Sequence, residues 1–171
     1  MPFTPYHFGP SGCIAFALRK WLDVPVFLLA NIIVDIEVLI LRRHACCHTL
    51  LFGALAGSSW AVLAYLLSPW LVRAMHLLRI PYTPRFWKML ISGILGVWTH
   101  ILIDAIYHWD VRIFYPAGAK PLWGLLTHGQ LELVCEISFI PLIILYLLAV
   151  NAYNKNKSPH PPKTFDPTEK K

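Results

Sequence analysis

The chain has 171 residues, of which 57% are hydrophobic and only 14% charged, with a formal net charge of +6 and a mean hydropathy of +0.55. That composition excludes an ordinary soluble globule and fits one membrane-embedded domain of several spans. Nucleic acid is not an expected partner, because much of the positive charge lies in the C-terminal tail and short loops, with no interleaved base-stacking motif.

Residues 1–10 (MPFTPYHFGP) contain three prolines and read as extended and turn-rich. Residues 11–22 predict a short apolar helix ending at Arg19, Lys20 and Trp21, too short to cross a bilayer unaided. The first span is expected over 24–41, with Asn31, Asp35 and Glu37 inside an apolar run that ends at Arg42 and Arg43. The second covers 44–68. It opens with His44 and His48, and Gly53 and Gly57 have the small-xxx-small spacing that lets helices approach closely. Residues 69–84, with Arg73, His76 and Arg79, predict an amphipathic stretch in the membrane interface, closed by Pro81 and Pro84. The third span covers 86–108, with Gly93 and Gly96 at mid-helix. After the loop WDVRIFYPAGAKP, a last span covers roughly 122–150.

The expected architecture is therefore all-α, a polytopic bundle of four main transmembrane helices plus a short N-terminal helix. Residues 1–150 form the membrane domain and 151–171 a disordered basic tail, rich in Lys, Pro, Asn and Ser. The N-terminus is expected to be retained, since the first basic residue, Arg19, follows the first apolar stretch instead of preceding it. The four cysteines lack CxxC spacing and read as small buried residues, although Cys46 and Cys47 stand between two histidines, where a thiolate ligand stays open.

If the four spans alternate, Arg19, Lys20, Arg73, Arg79, Arg85, Lys88 and the five tail lysines fall on one side. Arg42, Arg43, Arg112 and Lys120 fall on the other. The richer side is cytoplasmic by the positive-inside rule, so the C-terminus is inside. The ionisable residues of the apolar region then gather at the outer end. Asp35 and Glu37 lie near the outer end of the first span and His44 and His48 at the outer start of the second. His100, Asp104 and His108 close the third, and His128 and Glu132 open the fourth. His7 joins them if the N-terminal helix dips inward and returns.

His100, Asp104 and His108 follow i, i+4, i+8 and share one helix face. Ionisable groups at such depth are costly unless they pair or bind a cation. His44 and His48 are again i, i+4, the spacing at which two imidazoles bind one metal, with His48 the better placed and His44 open. His128 and Glu132 repeat the spacing, with Glu136 on the same face. Asp35, alone in an apolar helix, needs a cation or a proton. Asp35 and Glu37 are the candidate catalytic carboxylates, Asp35 as base. Glu37 falls on another face of a regular helix and is alternatively a partner for Arg42 or Arg43. His76 and His160 read as solvent-facing. Mixed imidazole and carboxylate donors point to a divalent metal, zinc before manganese or iron, with Asp104 able to bridge two ions.

The segments MPFTPYHFGP, ANIIVDIE, HACCHT and THILIDAIYHWDVRIFYP resemble the membrane-bound metal-dependent hydrolases of the LexA-regulated inner-membrane family, over most of residues 1–116. That family is in turn similar to the zinc-dependent phospholipases C, helical enzymes with a cluster built from His, Asp, His, HxxxD, His and HxxxE. The resemblance implies a bacterial inner-membrane protein in which His7, Asp35, His48, His100, Asp104, His108, His128 and Glu132 hold one or more zinc ions. It also implies hydrolysis of a phosphoester, with the bilayer as partner and a lipid-linked phosphoester as substrate. A metal-ion transporter is the main rival, although transporters spread ligands through the membrane depth and repeat them in two halves. A non-catalytic protein whose polar or metal-binding groups only hold helices together is the other.

Overall fold

The computed structural model describes residues 4–41 and 46–156, and among them every regular element is helical. A 3-10 turn over Thr4–His7 leads into α1 (Phe8–Ala17), followed by α2 (Val24–Leu41), a 3-10 turn over Cys46–His48, α3 (Leu50–Leu66), α4 (Ser68–Leu77), α5 (Phe86–Tyr107), α6 (His128–Ile137) and α7 (Phe139–Asn156). His44, Arg42, Arg43 and His160 lie outside the described residues.

Two helical stretches, Phe86–Tyr107 and His128–Lys155, are long and apolar enough to cross a membrane. The pair α3 and α4 makes a third if its 79° bend is counted within one span. Two or three helical stretches among the described residues could thus span a membrane, where the hydropathy pattern predicts four main spans. The bend has a plain cause. Pro69 stands in the first turn of α4, where a missing N–H costs nothing, and cannot continue α3.

Other boundaries move for local reasons. The N-terminal helix runs over 8–17 instead of 11–22, because Pro10 is tolerated in a first turn whose N–H groups have no intrahelical partner. The last helical stretch starts at His128 instead of near 122. Thr127 Oγ1 accepts the Gln130 N–H at 3.3 Å and Gln130 Oε1 accepts the Thr127 N–H at 2.9 Å, a reciprocal cap that fixes the start. Upstream, Gly124 takes a left-handed φ of 76°. At the other end α7 runs to Asn156, past the expected boundary at 150.

Three helices form the frame. At Gly57 of α3 a Cβ would meet Gly93 O of α5 at 2.5 Å, and at Gly96 of α5 one would meet Phe27 O of α2 at 2.5 Å. Only glycine permits these backbones to approach so closely. Trp60 of α3 donates to Val26 O of α2, and Trp98 of α5 to Leu50 O of α3, both at 2.9 Å. A core of Val26, Ala30, Val34, Val97 and Ile101 fills the space between them. By contrast α7 leaves Ile140, Ile143, Ile144, Leu147 and Leu148 more than half exposed. Such a surface suits lipid and would be a liability in water.

Candidate metal centre

The tight α2–α3–α5 packing brings the polar ends of these helices together. α5 supplies His100 and Asp104, one turn apart; α2 supplies Asp35; the turn before α3 supplies His48. One donor atom from each of these four lies within 4.8 Å of all the others. His100 Nε2 stands 3.0 Å from Asp35 Oδ1 and 3.1 Å from Asp104 Oδ2. His48 Nε2 stands 3.6 Å from Asp104 Oδ2 and 3.9 Å from Asp35 Oδ1. His48, His100 and Asp104 are buried, while the Asp35 side chain keeps 19% of its surface exposed.

Two further imidazoles reach the other oxygen of Asp104. His7 Nε2 lies 3.1 Å from Asp104 Oδ1, and its ring stacks on His100 with centroids 4.2 Å apart. The N-terminal segment is held in place by Ser11, whose hydroxyl donates to Asn31 Oδ1 on α2 at 3.0 Å. His108 Nε2 is 4.0 Å from Asp104 Oδ1 and only partly buried. Here the regular i, i+8 expectation gives way. α5 ends at Tyr107, and His108 caps it with an extended backbone (φ −103°, ψ 121°), which carries the ring to the rim.

Glu37 has a role that its helix register concealed. Both its carboxylate oxygens accept the Cys47 N–H, at 2.9 and 3.1 Å, and Oε2 lies 2.9 Å from His48 Nδ1. Residues i and i+2 of a helix face apart. The Cys46–His48 turn passes close enough to α2 for His48 to meet both Asp35 and Glu37. A carboxylate at Nδ1 retains the proton there and leaves the Nε2 lone pair for the cluster. The expected pairing with Arg42 or Arg43 falls outside the described residues.

The last predicted pair is not brought into the four-residue cluster. His128 is exposed and stacks on Tyr107, with centroids 4.1 Å apart and planes within 17°. Glu132, half-buried one turn on, faces the Tyr107 hydroxyl. Both stand at the same end of the bundle as the cluster, beside the last residue of α5.

No protein family, curated protein or solved structure matches the chain. The donor set speaks for itself. Four ligands about 2.1 Å from a tetrahedral ion stand roughly 3.4 Å from one another. The four imidazole–carboxylate separations of 3.0, 3.1, 3.6 and 3.9 Å bracket that value. His100 Nε2 also makes hydrogen-bond geometry with neither flanking oxygen, so the carboxylates sit beside its in-plane axis instead of on it. This buried Asp/His cluster could hold a metal ion.

Proposed function

We propose that the protein is an integral-membrane, metal-dependent hydrolase acting on phosphoesters, with a lipid-linked substrate presented by the bilayer. The observation that carries this reading is the gathering of Asp35, His48, His100 and Asp104 within 4.8 Å at one end of an apolar helical frame. The resemblance of residues 1–116 to membrane-bound hydrolases supports the same reaction class. Imidazole and carboxylate donors without thiolate favour zinc. A divalent cation held by such a set would supply acidified water and charge withdrawal from a phosphoryl oxygen.

The chain's own residues have separable tasks. His48, His100 and Asp104, all buried, would hold the metal. Asp104 faces His48 and His100 with one oxygen and His7 and His108 with the other, so it would help hold more than one ion. Asp35, the donor in the four-residue cluster that keeps accessible surface, would act as the base toward water. Glu37 orients His48. His128 and Glu132, beside Tyr107 at the rim, would meet substrate or help hold a second ion. By the positive-inside rule the site lies on the outer face of the bacterial inner membrane, with the C-terminus cytoplasmic and four spans crossing.

Metal analysis of the purified protein, followed by a panel of phosphomonoester and phosphodiester lipids, tests the reading. Bound zinc and turnover that are both lost in Asp104→Ala are expected. Bound metal with no hydrolysis across the panel would instead favour a transporter or a non-catalytic metal protein, and a metal-free wild type would sink the site.

A further inference from the structure

The other end of the bundle holds a buried carboxylate that this chemistry does not use. Asp23, just before α2, is 1% exposed. Its N–H donates to Ser92 Oγ at 2.6 Å, and its Oδ1 accepts the Val26 N–H at 3.3 Å and the Tyr82 hydroxyl at 3.2 Å. Its Oδ2 is buried without a hydrogen-bond partner. From Ser92 to Asp104 along α5 is about 18 Å at 1.5 Å per residue, so the two ends are chemically separate.

Asp23 lines a cleft of ≈ 190 Å³ whose walls include Arg19, Tyr82 and Lys88. The two cations are held at it by backbone carbonyls. Lys88 Nζ donates to Arg19 O at 2.8 Å and Arg19 Nη1 to Phe16 O at 3.2 Å. Next to it runs a second cleft of ≈ 360 Å³, apolar throughout, between α2 and α4 with Tyr146 of α7 at its side. Val24, Met75 and Ile80 belong to both walls. Two cations, one buried acceptor and an adjoining apolar groove match the three parts of an amphiphile: phosphate, donor and chain.

We infer that these clefts hold one phospholipid whose headgroup carries an N–H or O–H donor. Its phosphate lies against Arg19 and Lys88, its donor is directed to Asp23 Oδ2, and one acyl chain lies in the groove between α2 and α4. Charge complementarity favours phosphate at the cationic wall, and the unpartnered oxygen favours a donor over a quaternary ammonium. Burial holds the Asp23 carboxyl above its ordinary range, against the opposing pull of the Val26 N–H, Tyr82 and Lys88, and a donor on Oδ2 would relieve that penalty.

Native mass spectrometry of the full chain released from detergent reads this directly, with palmitoyl-oleoyl phosphatidylethanolamine, the matching phosphatidylcholine and water-soluble glycerophosphoethanolamine as probes. One retained phosphatidylethanolamine is expected, with weaker retention of phosphatidylcholine, which has no N–H. Joint Arg19→Ala and Lys88→Ala substitution is expected to lower retention about tenfold or more, the loss typical of charge-assisted hydrogen bonds. Ala74→Trp, at an exposed α4 position lining the groove, is expected to lower it without touching the polar end. Equal retention of the two lipids, unchanged retention in the substituted proteins, or binding of glycerophosphoethanolamine as tight as that of the lipid would overturn the inference.

Discussion

Asp23 and Asp104 are equally buried, at 1% and 3% exposure, on the same α2–α5 frame, yet their surroundings differ in kind. Around Asp104 stand the imidazoles of His7, His48, His100 and His108, all within 4.0 Å. Around Asp23 stand an amide, a phenol and, at its own N–H, a serine hydroxyl. Imidazole can offer a lone pair to a cation, whereas an amide or phenol facing a carboxylate offers only a proton. Burial makes a carboxylate demanding, and its neighbours decide whether a cation or a hydrogen-bond donor meets the demand.

The largest effect is expected from Asp104→Ala. It removes the carboxylate that four imidazoles face, and breaking a buried ionic cluster typically costs about 3–5 kcal/mol. Plasma emission analysis is expected to find no bound metal, and thermal unfolding in detergent a much lower midpoint. Asp23→Asn is expected to keep the metal at its wild-type level. If both substitutions strip the metal, the two ends are not chemically separate and the contrast fails. Gly57→Val strikes the frame between the ends, where a side chain would collide with the Gly93 carbonyl. Overpacking of this kind costs about 1–3 kcal/mol. It is expected to lower both metal content and thermal stability, where a local defect would lower one.

A smaller and sharper effect belongs to Glu37. It meets the cluster through His48 and holds the Cys47 N–H. Glu37→Gln keeps the shape and is expected to weaken metal affinity about 10–100-fold, the usual loss when a partner of a ligating histidine is changed. Competition with a chelator of known affinity measures it. An unchanged affinity would show that His48 is oriented by packing alone.

The legible part of the site followed from depth and spacing. His100 and Asp104 share a face by arithmetic, and Asp35 and His48 stood out because ionisable groups in apolar helices are expensive. Three features escaped for physical reasons. His108 departs from the stripe because helix ends are set by capping and not by hydropathy. Glu37 meets His48 because the chain doubles back at Cys46–His48, a tertiary event that the register of α2 cannot reveal. The Thr127–Gln130 cap was readable as T-x-x-Q yet was masked by apolar Leu122, Leu125 and Leu126 just before it. The 79° bend at Pro69, by contrast, falls where the expected second span gives way to the interfacial stretch.

The smallest expected effect is a pH dependence at Asp23. Burial raises its folded-state pKa above the ordinary 3.8. Between that value and the raised one the native state holds a proton that the unfolded chain has released. Stability from the neutral carboxyl is therefore complete below 3.8 and is lost as pH rises through the raised pKa. Thermal midpoints in detergent are expected to fall with rising pH in this window, and Asp23→Asn, which never ionises, is expected to flatten that slope. A bound headgroup donor stabilises the charged form, so added phosphatidylethanolamine is expected to shrink the wild-type slope toward that of Asp23→Asn. A slope that persists in Asp23→Asn would assign the titration to another group and would remove Asp23 as the acidic counterpart of Asp104.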